Sequence, residues 1–143
     1  MPNYRDQVTK EEMNQQVFQG LATNIRALKT EGKRVILALP FPMFDVSPPD
    51  LLIRNAILGR FHPGGTPKDL IPASLRGALA RLAEEAGAQT LDPTESLCHA
   101  GDCITQREGV SIYKDDNHLA ASQVGILQDS MESSLLRVLS TQQ

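Results

Sequence analysis

Two titratable side chains stand three positions apart near the end of the chain, at Asp115 and His118. That spacing lets a carboxylate hydrogen-bond one ring nitrogen of an imidazole and leaves the other ring nitrogen facing outward. The carboxylate then fixes the tautomer and stabilises the imidazolium that forms when the ring takes a proton from a nucleophile. The pattern predicts His118 as a general base and Asp115 as its orienting acid. In the alternative, the acidic segment only caps the last helix and His118 is a surface histidine, because so short a motif recurs by chance.

The other reactive side chains are two cysteines and two more histidines. Cys98 and Cys103 are close enough to close a small loop in a region rich in turn residues, which points to a disulfide and an oxidising compartment. A zinc site built from His62, His99, Cys103 and His118 is the alternative, but these spacings match no familiar zinc pattern. We therefore expect no metal and no cofactor.

The first predicted elements are a helix and a strand. Apolar residues recur at helical spacing over 13–28 until Gly32 ends the run, which predicts an amphipathic helix over 10–31 with its apolar stripe in the core. The continuous apolar run at 34–39 is ended by prolines and predicts a strand buried on both faces.

The middle of the chain is predicted to be mostly loop before regular structure returns. Residues 41–72 are rich in proline and glycine, with one short helical pattern at 51–58. A second helix is predicted over 75–86, ended by Gly87, and a short strand follows at 89–93. The order helix, strand, helix, strand is typical of a parallel α/β fold.

The segment that carries Asp115 and His118 follows a predicted hairpin centred on 107–109 and precedes a last helix at 121–139. This places the pair near the carboxyl side of the predicted sheet. Open α/β sheets bind their ligands at that side, so the position supports a functional site.

Two parallel strands are too few for a stable sheet, because the strand at 34–39 would keep an open edge and an unpaired apolar face. We expect the neighbouring strands to lie in residues before Met1 or in a partner chain, with 1–143 as one partial domain. The open edge also predicts self-association of the isolated chain. An upstream segment would further explain how a disulfide-bonded chain is exported.

Composition narrows the class of protein. The chain has 143 residues, Lys+Arg 14 against Asp+Glu 17, a formal net charge of -3 and no tryptophan. An acidic chain with few aromatic side chains to stack on bases argues against nucleic acid as a partner. No apolar stretch approaches the roughly 20 residues that cross a bilayer, and residues 1–12 lack the apolar core of a secretory signal. We expect a soluble chain without a targeting signal of its own.

A resemblance extends over most of the chain. The segment YKDDNHLAASQVG resembles the last conserved block of SGNH hydrolases. Residues 10–127 more closely resemble the C-terminal part of the periplasmic SGNH domain fused to membrane acyltransferases that O-acylate cell-surface carbohydrates. The features follow the order of that family: a helix, GKRVILALPFP, a proline-rich segment, LDPTESLC, GDC, SIYKDDNHL and a closing helix.

The resemblance implies a three-layer, flavodoxin-like α/β fold with His118 as the base and Asp115 as its orienting acid. It also implies a nucleophilic serine in an early Gly-Asp-Ser block and oxyanion donors in middle blocks, and the printed sequence contains neither. Gly101-Asp102-Cys103 offers a thiol instead, but Cys103 lies too few residues before His118 to occupy the position of an early nucleophile. Ala120 stands where the family usually has a serine that caps the last helix.

On this resemblance we expect acyl-ester chemistry, namely O-acyl (acetyl) transfer to an envelope carbohydrate, with this chain supplying the Asp-His pair. The partners would be an acyl donor, a carbohydrate acceptor and a membrane acyltransferase domain upstream in the parent protein. The location would be periplasmic, tethered to the inner membrane. A carbohydrate esterase or deacetylase is the enzymatic alternative. A truncated, non-catalytic module that binds glycan or stabilises a partner is the alternative from another class.

Overall fold

A computed structural model describes residues 10–60, 64–65 and 73–140. The helices are α1 (Lys10–Thr30), α2 (Pro48–Ile57), α3 (Ala73–Ala86), α4 (Thr94–Leu97) and α5 (Gln128–Ser140), with a 3-10 helix (Ala121–Leu127) directly before α5. The strands are β1 (Ile36–Ala38), β2 (Gly64–Gly65), β3 (Gln89–Leu91), β4 (Cys98–His99), β5 (Asp102–Ile104), β6 (Gln106–Arg107) and β7 (Val110–Ser111). The chain therefore has a mixed α/β structure.

A parallel pair of strands, β1 and β3, forms the centre of the first half of the chain. The N–H of Gln89 donates to the Val35 carbonyl (3.0 Å) and the N–H of Leu39 donates to the Leu91 carbonyl (2.8 Å), so the pairing extends past both ends of β1. Helices α1 and α3 pack on each other, and α5 packs against both strands. The predicted order of helix, strand, helix and parallel strand is confirmed.

The prediction that the first strand is buried on both faces is wrong. Ile36 and Leu37 are half-buried and Ala38 is exposed. Among the residues that the structure describes, β1 pairs only with β3. A strand with one unpaired edge keeps its backbone and part of its side chains in contact with water.

The interior between α1, α3 and β1 is built largely from small side chains. Its buried members, here named the alanine cluster, are Ile25, Ala83, Ala86 and Ala88. The apolar stripe predicted over 13–28 is only partly in this core, because Val17 is 66% exposed and Leu28 is exposed as well. Helix α1 has 21 residues and α3 has 14, so α1 extends about 10 Å beyond the length that α3 can cover.

Glycines end the first two predicted helices, as the sequence indicates. Gly32 and Gly87 follow α1 and α3 with φ of 76° and 80°, a left-handed conformation that favours glycine. At Gly87 the surroundings are also close, since a Cβ there would lie 3.0 Å from Cε of Lys29. The Lys29 ammonium donates to the Gly87 carbonyl at 2.7 Å and so joins the ends of the two helices.

Two tight hairpins follow α4. The predicted hairpin is confirmed: β6 pairs with β7 through a turn at Glu108 and Gly109, both with positive φ. The other hairpin, β4 with β5, was not predicted. It pairs Cys98 with Cys103, and these two residues form the predicted disulfide. Strand β2 extends this small sheet on the other side of β5.

The last helix differs from its prediction in its first turns. Residues 121–127 form a 3-10 helix and the α-helix begins only at Gln128. Ala120 is the N-cap in an extended conformation and makes no side-chain capping bond. A methyl group cannot accept from the first N–H groups of a helix, which are instead satisfied through tighter i to i+3 bonds such as that from the Gln123 N–H to the Ala120 carbonyl.

Candidate active site

Residues 114–118, here named the D-x-x-H loop, connect two short extended segments. Tyr113 and Leu119 form an antiparallel bridge on either side of the loop. The N–H of Lys114 donates to the His118 carbonyl at 2.7 Å, and the N–H of Ala120 donates to the Ile112 carbonyl at 2.9 Å. The loop is therefore closed at its base by backbone hydrogen bonds.

A core of large side chains lies beneath the D-x-x-H loop. Its buried members, here named the aromatic cluster, are Phe44, Leu97, Cys103, Ile112, Tyr113 and Leu127. The rings of Phe44 and Tyr113 meet edge to face, with centroids 4.9 Å apart and planes at 77°. Leu119, on the other side of the loop, packs against the same cluster. Both ends of the loop are thus anchored in one core.

The Asp115 carboxylate organises the loop through backbone and side-chain bonds together. Its Oδ1 accepts from the N–H of Asn117 (3.1 Å) and from the N–H of His118 (2.8 Å). Both carboxylate oxygens lie 3.0 Å from Nδ1 of His118. The two backbone N–H groups lower the pKa of Asp115, and the His118 ring lowers it further, which together outweigh slight burial. The carboxyl is therefore ionised at neutral pH.

His118 faces solvent with one ring nitrogen available. Its side chain is 72% exposed, and Nε2 has no hydrogen-bond partner within the described ranges. An ionised carboxylate on Nδ1 favours the tautomer with a proton there, and this leaves the lone pair on Nε2. The arrangement can therefore accept a proton at Nε2 and hold the resulting imidazolium. The structure brings together the two residues that the sequence predicted as a pair.

The D-x-x-H loop also contacts the segment that leaves the carboxyl end of β1. The N–H of Phe44, six residues after β1, donates to the carbonyl of Asp116 at 3.0 Å. Phe44 itself is only 3% exposed. This contact joins the loop to the edge of the parallel strands at which α/β proteins place ligands.

A second group of polar side chains lies at the same edge and was not predicted from the sequence. Arg76 on α3 donates through Nη1 to the Pro40 carbonyl (2.5 Å), and its Nη2 donates to the Asp92 carboxylate and to the Thr94 hydroxyl (3.1 Å). Asp92 Oδ1 also accepts from the N–H (2.9 Å) and the hydroxyl (2.6 Å) of Thr94. Only Asp92-Pro93-Thr94, a helix-start pattern after a strand, hints at this group in the sequence.

The network shifts the ionisation of Asp92. Partial burial raises the pKa of Asp92, but the hydrogen bonds from Arg76 and Thr94 and the charge of Arg76 outweigh burial and leave the pKa below its usual value. Asp92 and Arg76 therefore form an ion pair at neutral pH.

Those of the remaining candidate residues that the structure describes do not join the D-x-x-H loop in a metal site. Cys98 and Cys103 are joined in a disulfide, so neither is a thiolate, and Cys103 is excluded as a nucleophile in this state. His99 is exposed on β4, and His62 lies outside the described residues. In the part of the chain that the structure describes, no group of three or more His, Cys, Asp or Glu side chains could hold a metal ion.

Comparison with known proteins identifies the family. A family model described as "SGNH domain (fused to AT3 domains)" matches residues 2–132. The chain has no match among the curated proteins or among the solved structures. None of the helices in the described ranges has the length and apolar character needed to span a bilayer. Since the family model covers nearly the whole of the 143 residues, the chain belongs to the family of SGNH domains that are fused to AT3 acyltransferase domains.

Proposed function

We propose that this chain provides the acid-base pair for O-acyl (acetyl) transfer to a carbohydrate of the cell envelope. Membership of a family fused to AT3 acyltransferase domains supports acyl-related chemistry. The observation that carries the proposal is the contact of both Asp115 carboxylate oxygens with Nδ1 of His118 at 3.0 Å, while Nε2 is open to solvent. A pair in this geometry accepts and returns a proton at one fixed atom.

In the first half-reaction a serine hydroxyl attacks the carbonyl carbon of the acyl donor and Nε2 of His118 takes the hydroxyl proton. The tetrahedral intermediate collapses, the bond to the leaving group breaks and His118 returns its proton to that group. In the second half-reaction Nε2 takes the proton of a sugar hydroxyl, whose oxygen attacks the acyl-serine. The serine leaves and recovers its proton from His118. Asp115 stabilises the imidazolium in both halves.

The nucleophile in this proposal is supplied from outside the printed sequence, which contains no Gly-Asp-Ser. The same outside segment would add strands beside β1 and so complete a three-layer, flavodoxin-like sheet. The half-buried Ile36 and Leu37 on β1 are compatible with a further neighbour there. The D-x-x-H loop would then face the serine from the carboxyl edge of that sheet.

The compartment proposed for the domain is the periplasm, with a tether to the inner membrane through the acyltransferase domain. The disulfide between Cys98 and Cys103 supports an oxidising compartment, since cytosolic thiols are kept reduced. The acyl donor would reach the domain from the membrane side, and the acceptor would be an envelope glycan.

Two other functions use the same chain differently. A carbohydrate esterase would pass the acyl group to water, and the Asp115–His118 geometry suits both acceptors equally. A non-catalytic module would bind glycan or stabilise a partner, and the missing Gly-Asp-Ser block favours this function for the chain by itself.

The decisive experiment measures acyl transfer to glycan by the parent polypeptide in which this domain is joined to its AT3 domain. We expect Asp115→Asn to lower turnover by about 10⁴-fold, because the wrong tautomer then dominates, and His118→Ala to lower it at least as far. The matched control is His99→Ala, which removes another exposed histidine, on strand β4, and should leave turnover unchanged. Normal turnover in the Asp115 and His118 variants would contradict the proposal.

A second experiment separates the enzymatic functions from the non-catalytic one. The purified chain is incubated with a chromogenic acetyl ester and with a serine-directed covalent reagent. We expect neither turnover nor labelling for the chain alone, and both for the parent polypeptide. If the parent polypeptide also lacks both, the non-catalytic module becomes the better explanation.

A further inference from the structure

Arg76 links the carboxyl ends of both parallel strands through one side chain. Its Nη1 donates to the Pro40 carbonyl, two residues after β1, and its Nη2 reaches the carboxylate of Asp92, the first residue after β3. The Arg76 and Asp92 side chains are only 20% and 26% exposed. A guanidinium presents its donors in a rigid planar fork, so it fixes the distance and angle between its two acceptors.

The segment from Pro40 to Phe44 connects the Pro40 carbonyl, which Arg76 holds, to Phe44. Pro40 and Pro42 both have ring-locked φ, which stiffens this five-residue segment. Phe41 packs against the aromatic cluster, and Phe44 is one of its buried members. The position of the Pro40 carbonyl therefore limits where the Phe44 backbone can lie.

Phe44 in turn contacts the D-x-x-H loop and the residue directly before it. Its N–H donates to the Asp116 carbonyl at 3.0 Å, and its ring packs edge to face on Tyr113, the residue directly before the loop. Asp116 lies between the two residues of the acid-base pair. A shift of Phe44 would thus move the backbone that sets the Asp115–His118 geometry.

A role limited to neutralising Asp92 does not explain the contact with Pro40. Thr94 already gives Asp92 Oδ1 two hydrogen bonds, from its N–H and from its hydroxyl. The Nη1 bond instead reaches the Pro40 carbonyl in the segment that follows the other strand, where no charge needs compensation. This bond has a geometric effect, because it joins two chain segments that are far apart in the sequence.

From these contacts we infer that Arg76 is a positioning residue for the general base. It holds the segment 40–44 so that Phe44 fixes the D-x-x-H loop and His118 presents Nε2 in one orientation. The role as positioning residue rests on the proposed function of His118. The mechanical coupling from Arg76 to the loop does not, so it can be measured on the chain without any activity.

The test compares amide hydrogen exchange in the chain and in three variants. Arg76→Gln removes the charge and the fork, and Arg76→Lys keeps the charge but cannot reach both acceptors at once. Arg81→Gln is the control, since Arg81 is an exposed arginine on the same helix. The reporter amides are those of Phe44, Lys114 and His118, each bonded within or to the loop. The reference amides are those of Gln89 and Ile112, which have bonds elsewhere.

Relative to the reference amides, we expect about tenfold faster exchange at the three reporter amides in both Arg76 variants, as for loss of one charge-assisted hydrogen bond. The Nδ1–H resonance of His118 should also broaden or shift, which simple loss of global stability would not cause. Arg81→Gln should match the unmodified chain. Uniform acceleration at all five amides, or unchanged reporters in a folded Arg76→Lys, would overturn the inference.

A turnover measurement distinguishes failure of this inference from failure of the proposed function. In the parent polypeptide, Arg76→Lys should lower the turnover number about tenfold and leave the Michaelis constant for the acceptor unchanged, because the orientation of the base is altered and acceptor binding is not. Coupled exchange with normal turnover in Arg76→Lys would overturn the positioning role of Arg76, whereas normal turnover in the Asp115 and His118 variants would overturn the catalytic role of the pair. Uncoupled exchange would overturn the role of Arg76 alone.

Discussion

The aromatic cluster beneath the D-x-x-H loop and the alanine cluster between α1 and α3 are built from different side chains. The first contains two aromatic rings, large aliphatic side chains and a disulfide-bonded cysteine, among them the fully buried Tyr113, Leu97 and Ile112. The second has Ile25 as its only large buried member. The segments around the aromatic cluster are loops, short strands, the four-residue helix α4 and the 3-10 helix, whereas those around the alanine cluster are the long helices α1 and α3 and strand β1.

From this difference we expect the part of the described chain with the least regular secondary structure to be the more firmly held one. Buried area per side chain, and not helix content, decides how strongly neighbouring segments are held. The candidate site stands on the cluster with the larger buried side chains. We therefore expect changes in the aromatic cluster to affect both stability and the D-x-x-H loop, and changes in the alanine cluster to affect stability alone.

The largest effect should come from Phe44→Ala, which deletes a buried ring and should lower the free energy of unfolding by about 3–5 kcal/mol. Ile25→Ala in the alanine cluster should cost about 2–5 kcal/mol but leave the Asp115–His118 contact intact. Urea denaturation measures both costs, and the His118 ring resonances report the contact. If the Phe44→Ala chain keeps a normal His118 ring signal, the two clusters do not differ in their effect on the D-x-x-H loop. Phe44→Leu is used in its place if the Phe44→Ala chain does not fold.

Tyr113→Phe is the matched control for that experiment. The Tyr113 hydroxyl is buried without a hydrogen-bond partner in the described ranges, and burial raises the pKa of Tyr113, so it remains protonated. Removing an unsatisfied hydroxyl while keeping the ring should leave stability unchanged or raise it by about 1 kcal/mol. Packing, and not the hydroxyl, is then what Tyr113 contributes.

An intermediate effect is expected from opening the disulfide. Replacing both Cys98 and Cys103 with serine should lower stability by about 2 kcal/mol, the chain-entropy value for so small a loop. Thermal melting with and without reductant gives the same comparison without mutation. The control is His99→Ala in the same hairpin, which leaves the crosslink in place. Equal melting temperatures for the oxidised and reduced chains would show that the hairpin holds its conformation without the bond.

The smallest effect concerns the acid stability that the ion pair of Arg76 and Asp92 contributes. The folded pKa of Asp92 is lower than the unfolded value of 3.8, so its stabilising contribution is complete above that pH and is lost as pH falls through the folded pKa. We expect about 1 kcal/mol, because both partners keep part of their surface in water. Asp92→Asn should flatten the acid limb of the stability curve, and Glu84→Gln, an exposed carboxyl on α3, should not. Asp115 also has a lowered pKa, so some acid sensitivity remains.

Regular and local features could be predicted from the sequence. Helix α1, the parallel strands β1 and β3, the hairpin at Glu108-Gly109 and the disulfide all have a spacing, a stop or a turn residue that identifies them. The Asp115–His118 contact is local as well, since three positions separate the residues.

Features that depend on tertiary contact could not be predicted. The hairpin of β4 and β5 has Ala100 in a left-handed conformation, which alanine rarely adopts, and its strands are too short to show periodicity. The bond from the Phe44 N–H to the Asp116 carbonyl involves only backbone groups, so no residue type marks it. The burial of β1 was overestimated because an apolar run does not show how many neighbours a strand has.

The geometry of the Asp115–His118 contact has one further consequence for the proposed function. Five consecutive residues hold the carboxylate against the imidazole, and one compact core supports them. Under the proposed function, a nucleophile on another segment would therefore dock against a single preassembled body and would not recruit acid and base separately. The proposed function thus predicts fragment complementation, in which two inactive polypeptides regain catalysis when mixed.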